Sequence, residues 1–419
     1  MSKKSELQRT MSMLAPNYEN PEDSPDALPR ISLNERDRRY RAVRKRMVAE
    51  SIDVLVLPAN HSRWDQMMAD SRYLTTIGGY GTETLTVFPL EGEVTAGVFN
   101  RSAWWKQAQD WVSDVRDCRN RWAEMVIDRL HEIGFSGRGR IGISGLAGLV
   151  RAPDGLVPYT TVKRIKQAFP EASIVDATAL MQDMRVRKSA EEIRLMKRSL
   201  KIIETMLDAM AGEARPGVSE KHLYATLVGT MLEAGGELPS LLIFGSGPGL
   251  NSGQFVPGNR LLRPGDMIVG EVEAHYAGYS GQVIQPVSLG KQPDVYMDQL
   301  RVAIASFEAI REKMRPGATI GTLMDTYERT VEKESKGRFS FSHPMMHARG
   351  LGDERPAQFG DVGMEEFRRI ELQAGMTFVL KPRARATRGK RTAQIGDTVV
   401  VTKNGGQRLG TRTLELRVV

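Results

Sequence analysis

A single cysteine, Cys118, occurs in the 419 residues, which excludes an internal disulfide and fits a reducing compartment. No stretch approaches the roughly 18 apolar residues that cross a bilayer, so a membrane partner is not expected. The N-terminal MSKKSELQRTMSMLAPNYENPEDSPDALPR lacks the apolar core of a secretory signal. Polar and proline-containing, it reads as a flexible arm over residues 1–32, and a cytoplasmic location is expected. One-signed charge is also scarce. Lys and Arg (59) outnumber Asp and Glu (51) for a net +8, but the two signs are interleaved, so nucleic acid is not expected as a partner. The exception is KPRARATRGKR, residues 381–391, with six basic residues and no acid.

What is present describes a globular chain: 41% hydrophobic and 26% charged residues, with a length that suggests two domains. From 33 the pattern LNERDRRYRAVRKRMVAESI predicts a helix, and DVLVLPA a buried strand. RYLTTIGGYGTETLTVFPL and EVTAGVF predict further strands separated by glycine turns, followed by helices over 121–133 and 158–169 and strands in GRIGISG and SIVDAT. This is an α/β domain over 33–186, and it holds all five tryptophans, Trp64, Trp104, Trp105, Trp111 and Trp122. A long charged helix begins near Ser189, where Ser189 and Glu192 have capping-box spacing. Beyond it, helices at 219–235, 292–314 and 319–335 alternate with strand pairs at 267–289 and 375–401. That pattern predicts an α+β domain over 187–419, its helices on an antiparallel sheet.

Chemistry concentrates in GDMIVGEVEAHYAGYSGQVIQPVSLG, residues 265–290, which reads as a hairpin turning at Ala277-Gly278. Alternation puts Glu271, Glu273 and His275 on one face, with Gln282 on the opposite arm. Inward carboxylates on so apolar a strand cost stability unless paired, which points to use; the plainer reading is a structural salt bridge from Glu271 to Lys381. By the same alternation Lys381, Arg383 and Arg385 share a face, where guanidinium groups suit a carboxylate.

MRVRKSAEEIRLMKRS resembles the junction between the two domains of the creatinase, proline dipeptidase and aminopeptidase superfamily. RPGVSEKHLYATLVGTMLEAGG, RPGDMIVGEVEAHYAGYSGQV, MRPGATIGTLMD, HPMMHARGLG, LQAGMTFVLKP and QIGDTVVVTKNG continue the resemblance in family order, from about residue 35 to 415. It implies a pita-bread fold for the C-terminal domain. It also implies, in the metallopeptidases, two metal ions held by two Asp, one His and two Glu. The matching positions here are Glu271, Gln282, His347, Lys381 and Gly396. Only the His is kept in kind, so no metal and no other cofactor is expected. Creatinase and ectoine hydrolase are metal-free members, and the second resembles this chain in carrying a Glu at the position of Glu271. Both place a catalytic His where this chain has Gln254 or Phe255.

The expectation is therefore a metal-independent hydrolase, outside the metallopeptidases, cleaving a C–N bond in a small anionic or aromatic molecule. Glu271 would be base or nucleophile, His347 the proton donor, and Lys381 with Arg383 the stabilisers of negative charge. Gln282, Glu273, Gln254, Phe255 and Arg349 would line the substrate, with Asp353 and Glu354 following in the same loop. The resemblance implies a homodimer in which Trp64, Tyr80 and Glu83 of one subunit complete the partner's pocket. A C–C lyase on an aromatic substrate and a catalytically inactive binding module are the alternatives.

Overall fold

The computed structural model describes residues 28–60, 68–79, 81–148, 152–239, 241–248, 256–352, 354–357, 363–387 and 392–419. The first part runs α1 (Leu33–Ala49), β1 (Val54–Leu57), α2 (Ala69–Thr75), β2 (Thr84–Pro89), β3 (Thr95–Val98), α3 (Ser102–Ala108) and β4 (Asp114–Asp117). It continues through α4 (Trp122–Glu132), β5 (Arg140–Ile143), α5 (Tyr159–Ala168), β6 (Ser173–Asp176) and α6 (Thr178–Val186). Its strands form one mixed sheet in the order β4-β3-β2-β1-β5-β6. β1 lies between antiparallel β2 and parallel β5 and is buried along its length, which is why VLVL is apolar throughout instead of alternating.

The stretch RYLT, expected as a strand, is the end of helix α2. Left-handed residues bound it on both sides, Met68 at φ 69° and Thr76 at φ 61°, and the Thr75 hydroxyl donates back to the Ser71 carbonyl at 2.8 Å. Nearly the whole turn is buried, so its short apolar run carried no periodicity that separates helix from strand.

The second part opens with α7 (Ala190–Glu213) and α8 (Glu220–Glu233), then β7 (Ile243–Gly247), β8 (Met267–Tyr276), β9 (Tyr279–Val283) and β10 (Val287–Ser288). After α9 (Asp294–Lys313) and α10 (Ile320–Ser335) come β11 (Phe339–Ser340), β12 (Met346–Ala348) and α11 (Met364–Arg369). The strands β13 (Thr377–Leu380), β14 (Arg383–Ala386), β15 (Thr392–Gln394), β16 (Asp397–Thr402), β17 (Gly405–Arg408) and β18 (Arg417–Val418) close it. These strands form three sheets. β8 is at the centre of the first, between β7 and β10 and paired also to β9; β12-β13-β16-β17 and β11-β14-β15 are the others. β18 runs parallel to β10, so the first sheet is mixed, not purely antiparallel as expected. Thr398 joins the β9 and β16 arms through its hydroxyl, which accepts the Gln282 N–H and donates to the Gln282 carbonyl, both at 3.0 Å.

Two arginines of the first part grip the tip of the β8–β9 hairpin. Arg39, fully buried on α1, donates to the Tyr279 hydroxyl at 2.9 Å, which in turn donates to Glu192 at 3.0 Å. Glu192 is the predicted capping-box residue: the Ser189 hydroxyl accepts the Glu192 N–H at 3.2 Å and Glu192 accepts the Ser189 N–H at 2.8 Å. Arg72 on α2 forms a bidentate pair with Glu237, two contacts of 2.7 Å, and Glu237 also accepts the Gly278 N–H at 3.1 Å. The turn residue Ala277 takes a left-handed φ of 52° to bring these groups together.

Candidate active site

On β8, Val272 and Ala274 enter the core while Glu271, Glu273 and His275 take the other side, as alternation requires. Glu273 is fully buried, with His275, Arg349 and Gln282 around its carboxylate. Its Oε1 lies 3.0 Å from His275 Nε2, and its Oε2 takes the Arg349 guanidinium and, at 3.3 Å, the Gln282 amide. Burial raises the carboxyl's pKa, but Arg349 and His275 overcome that and hold it down at about 2. Gln282 sits directly across the ladder from Glu273 and is fixed at its other end: its Oε1 is 3.2 Å from His347 Nε2. The second ring nitrogen of His347, Nδ1, is 3.1 Å from the Ala348 carbonyl, so both nitrogens face oxygen acceptors.

Glu271 pairs with a different cation. Lys381 Nζ donates to its Oε2 at 2.8 Å, with side-chain exposures of only 7% for Lys381 and 13% for Glu271. Burial pushes the Lys381 pKa below its ordinary value, and nearby Arg383 and Arg349 push the same way against the pull of Glu271. The plainer reading of Glu271, an ion pair with Lys381, is therefore present in the geometry.

The structure thus gathers Glu271, Glu273, Gln282, His347, Arg349 and Lys381 from β8, β9, β12 and the end of β13. Arg383 borders them. Its backbone N–H donates to the Tyr327 hydroxyl at 3.1 Å, which donates to the Arg383 carbonyl at 2.6 Å. The three-cation face is not formed as expected: Arg385 shares the side of Arg383 on β14 but is exposed. Glu354 is also displaced from its expected role, because it is buried against the Lys188 ammonium and accepts the Leu351 N–H at 2.9 Å, clamping the loop that follows Arg349. Glu83 lies apart, in an open cleft with Phe99, Arg101 and Trp105. Trp64, Tyr80, Gln254, Phe255, Asp353 and Arg388–Arg391 lie outside the described residues. Sequence reasoning missed Lys188, Tyr327 and Thr398; nothing near them in the chain signals that they support this face.

These two units, an α/β N-terminal domain and a C-terminal domain of helix-covered sheets around a buried polar face, define a creatinase-type N-terminal domain joined to a pita-bread domain. The sequence matches the Creatinase/Prolidase N-terminal domain over residues 39–187 and Metallopeptidase family M24 over residues 194–403. The second match spans half of the chain, which belongs to metallopeptidase family M24. It is 23% identical to an Xaa-Pro dipeptidase of Pyrococcus horikoshii over 264 residues, 62% of this chain and 72% of that protein. It is 26% identical to a putative dipeptidase of Bacillus subtilis over 262 residues, 59% of this chain and 67% of that one. In fold it resembles the X-Pro aminopeptidase of Thermotoga maritima, with a TM-score of 0.72 at 21% identity, covering 91% of this chain and 99% of that one.

These likenesses overturn the expectation of a metal-independent hydrolase or lyase outside the metallopeptidases. Family M24 is a metallopeptidase family, and the three relatives just described are named for peptidases. The donors that this chain places on the face nevertheless do not fit a pair of metal ions. Of the five family positions, Gln282 offers a neutral amide and Lys381 an ammonium. Gly396 offers no donor, and a Cβ there would meet Ile284 Cδ1 at 2.4 Å and Lys381 Cβ at 3.0 Å, so any side chain would require its neighbours to shift. Among the described residues no group of three or more His, Cys, Asp and Glu is placed to hold a metal ion. No chemical step is therefore derived through one. No helix among the described residues is long and apolar enough to cross a membrane.

Proposed function

We propose that the chain is an enzyme acting on a short peptide or peptide-like amide, bound against the face that carries Glu271, Gln282, His347 and Lys381. The observation that carries this reading is the convergence of those four positions, set apart in sequence, on one buried hydrogen-bonded face in an M24 fold. The names of its relatives support the substrate class. Within it Glu271 and His347 are the groups that move protons, Gln282 is held rigidly by Glu273 and His347 as a hydrogen-bonding anchor, and Lys381 faces developing negative charge. The division at residues 186 and 187, a cytoplasmic location and a homodimer whose N-terminal domains complete each other's pockets belong to the same reading.

A panel of Xaa-Pro and other dipeptides, assayed for released amino acid with and without added divalent metal, tests it. Release should exceed that of Glu271→Gln by roughly 10²–10⁴. Absence of release from every peptide in both buffers would remove the peptide reading.

A further inference from the structure

The charged groups of the face are matched one to one until Arg383. Arg349 pairs with Glu273 and Lys381 with Glu271. Arg383 has no ion pair among the described residues, and its Nε is buried with no hydrogen-bond partner among them. A buried donor of a charged group left unmatched is costly, and in native proteins it calls for a reason. Its main chain, by contrast, is over-determined: one phenol, Tyr327, satisfies both its N–H and its carbonyl, from a side chain that is itself fully buried. The side chain is thus fixed at its root, with no ion pair and an unmatched Nε among the described residues. The phenol that holds the Arg383 main chain belongs to an aromatic group in which Tyr327, Phe341 and His343 contact one another edge to face, with centroids 5.6–6.0 Å apart. Phe341 remains 42% exposed.

We propose that Arg383 is the receptor for a carboxylate on the ligand, so that the substrate class is a small organic acid. This rests on reading the face as the ligand site. A carboxylate suits the position because its two oxygens match the Nε–H and Nη–H fork, and its charge offsets the one surplus cation of the face. The charge of Arg383 also bears on Lys381: after burial, it is one of the groups that push the Lys381 pKa down. A bound anion would relieve that part of the repulsion.

Two matched probe pairs separate this assignment from the peptide reading: alanyl-proline against alanyl-prolinamide, and benzoate against benzamide, each titrated calorimetrically into the full chain. The acid of at least one pair should bind roughly tenfold or more tighter than its amide. R383M should abolish that preference by weakening the acid roughly 10–100-fold while leaving the amide unchanged. R383K keeps the charge but not the fork; it should recover only part of the preference, and it carries the test should R383M fail to fold. If benzoate is preferred through Arg383 while alanyl-proline does not bind, the peptide reading falls and the carboxylate assignment stands. Binding of neither acid, or an acid preference that R383M and R383K both leave at the native level, overturns the assignment.

Discussion

At the scale of single residues, the two carboxylates of β8 differ in what holds them, and so in what removing their partners does. Glu273 titrates near 4.5 when unfolded and near 2 when folded, so between those values the native state binds fewer protons than the unfolded one. Its contribution, on the order of 3 kcal/mol, is complete above about pH 4.5 and lost as pH falls toward 2. Urea unfolding from pH 7 down to 3 should show that decline in the native chain and a flatter profile in Glu273→Gln; equal slopes would mean that Arg349 and His275 do not hold the carboxylate as described. The Glu271–Lys381 pair should respond asymmetrically. Lys381→Met strands a buried carboxylate and should cost roughly 3–5 kcal/mol. Glu271→Gln leaves a lysine already disposed to shed its proton, and should cost less, with the double change recovering much of the loss of Lys381→Met. Denaturant midpoints of the three variants measure this, and equal single losses would contradict it. The Glu271, Glu273 and His275 row was legible because a period of two is enough to see it. Arg349 as the partner was not: it lies 76 residues from Glu273, in a loop joined to the hairpin where the Ser280 N–H and hydroxyl donate to the Gly350 carbonyl.

At the scale of elements, legibility followed length and capping. α7 was readable to its first residue because Ser189 and Glu192 satisfy each other's backbone groups locally, and the β8–β9 turn because Ala277-Gly278 accepts left-handed backbone at both positions. α2 was misread because six of its seven residues are buried, leaving no solvent face to mark their period. The cationic run after β13 was read as one alternating strand, whereas Pro382 ends β13 and β14 starts afresh. Lys381 therefore reaches Glu271 from a connection, and Arg385 is left at the open end of a separate hairpin. The pairing that fills the Gly396 position is equally invisible in sequence. It arises where Ile284, just past β9, exchanges both backbone hydrogen bonds with Gly396 at 3.0 Å.

At the scale of the whole molecule, family order fixed the architecture but not the chemistry, because the fold depends on apolar periodicity over hundreds of residues and the site on a handful of identities. The same fold surrounds a set of donors that differs from the metal ligands implied by the family resemblance, and the hairpin that bears them is held from outside its own domain. Arg39 makes this coupling. From α1 it donates to Glu35 and to the Tyr73 carbonyl, both at 2.8 Å, within the first domain, and to Tyr279 of the hairpin in the second. Its guanidinium also lies 4.2 Å from the centroid of the Tyr73 ring. Because the link is fully buried and shared with Glu192 at the domain junction, neither unit can open without exposing charge from the other. The native chain should therefore unfold in a single calorimetric transition. Arg39→Met leaves Glu35 and Glu192 buried with fewer partners, costing roughly 3–5 kcal/mol. It should also separate the transition into two, with faster amide exchange at Tyr279 and Ser280 than in the native chain. Two transitions already present in the native chain would show that the two domains are joined by the chain alone, and one unchanged transition in Arg39→Met would show that Arg39 does not carry the coupling and leave it to Arg72 and Glu237.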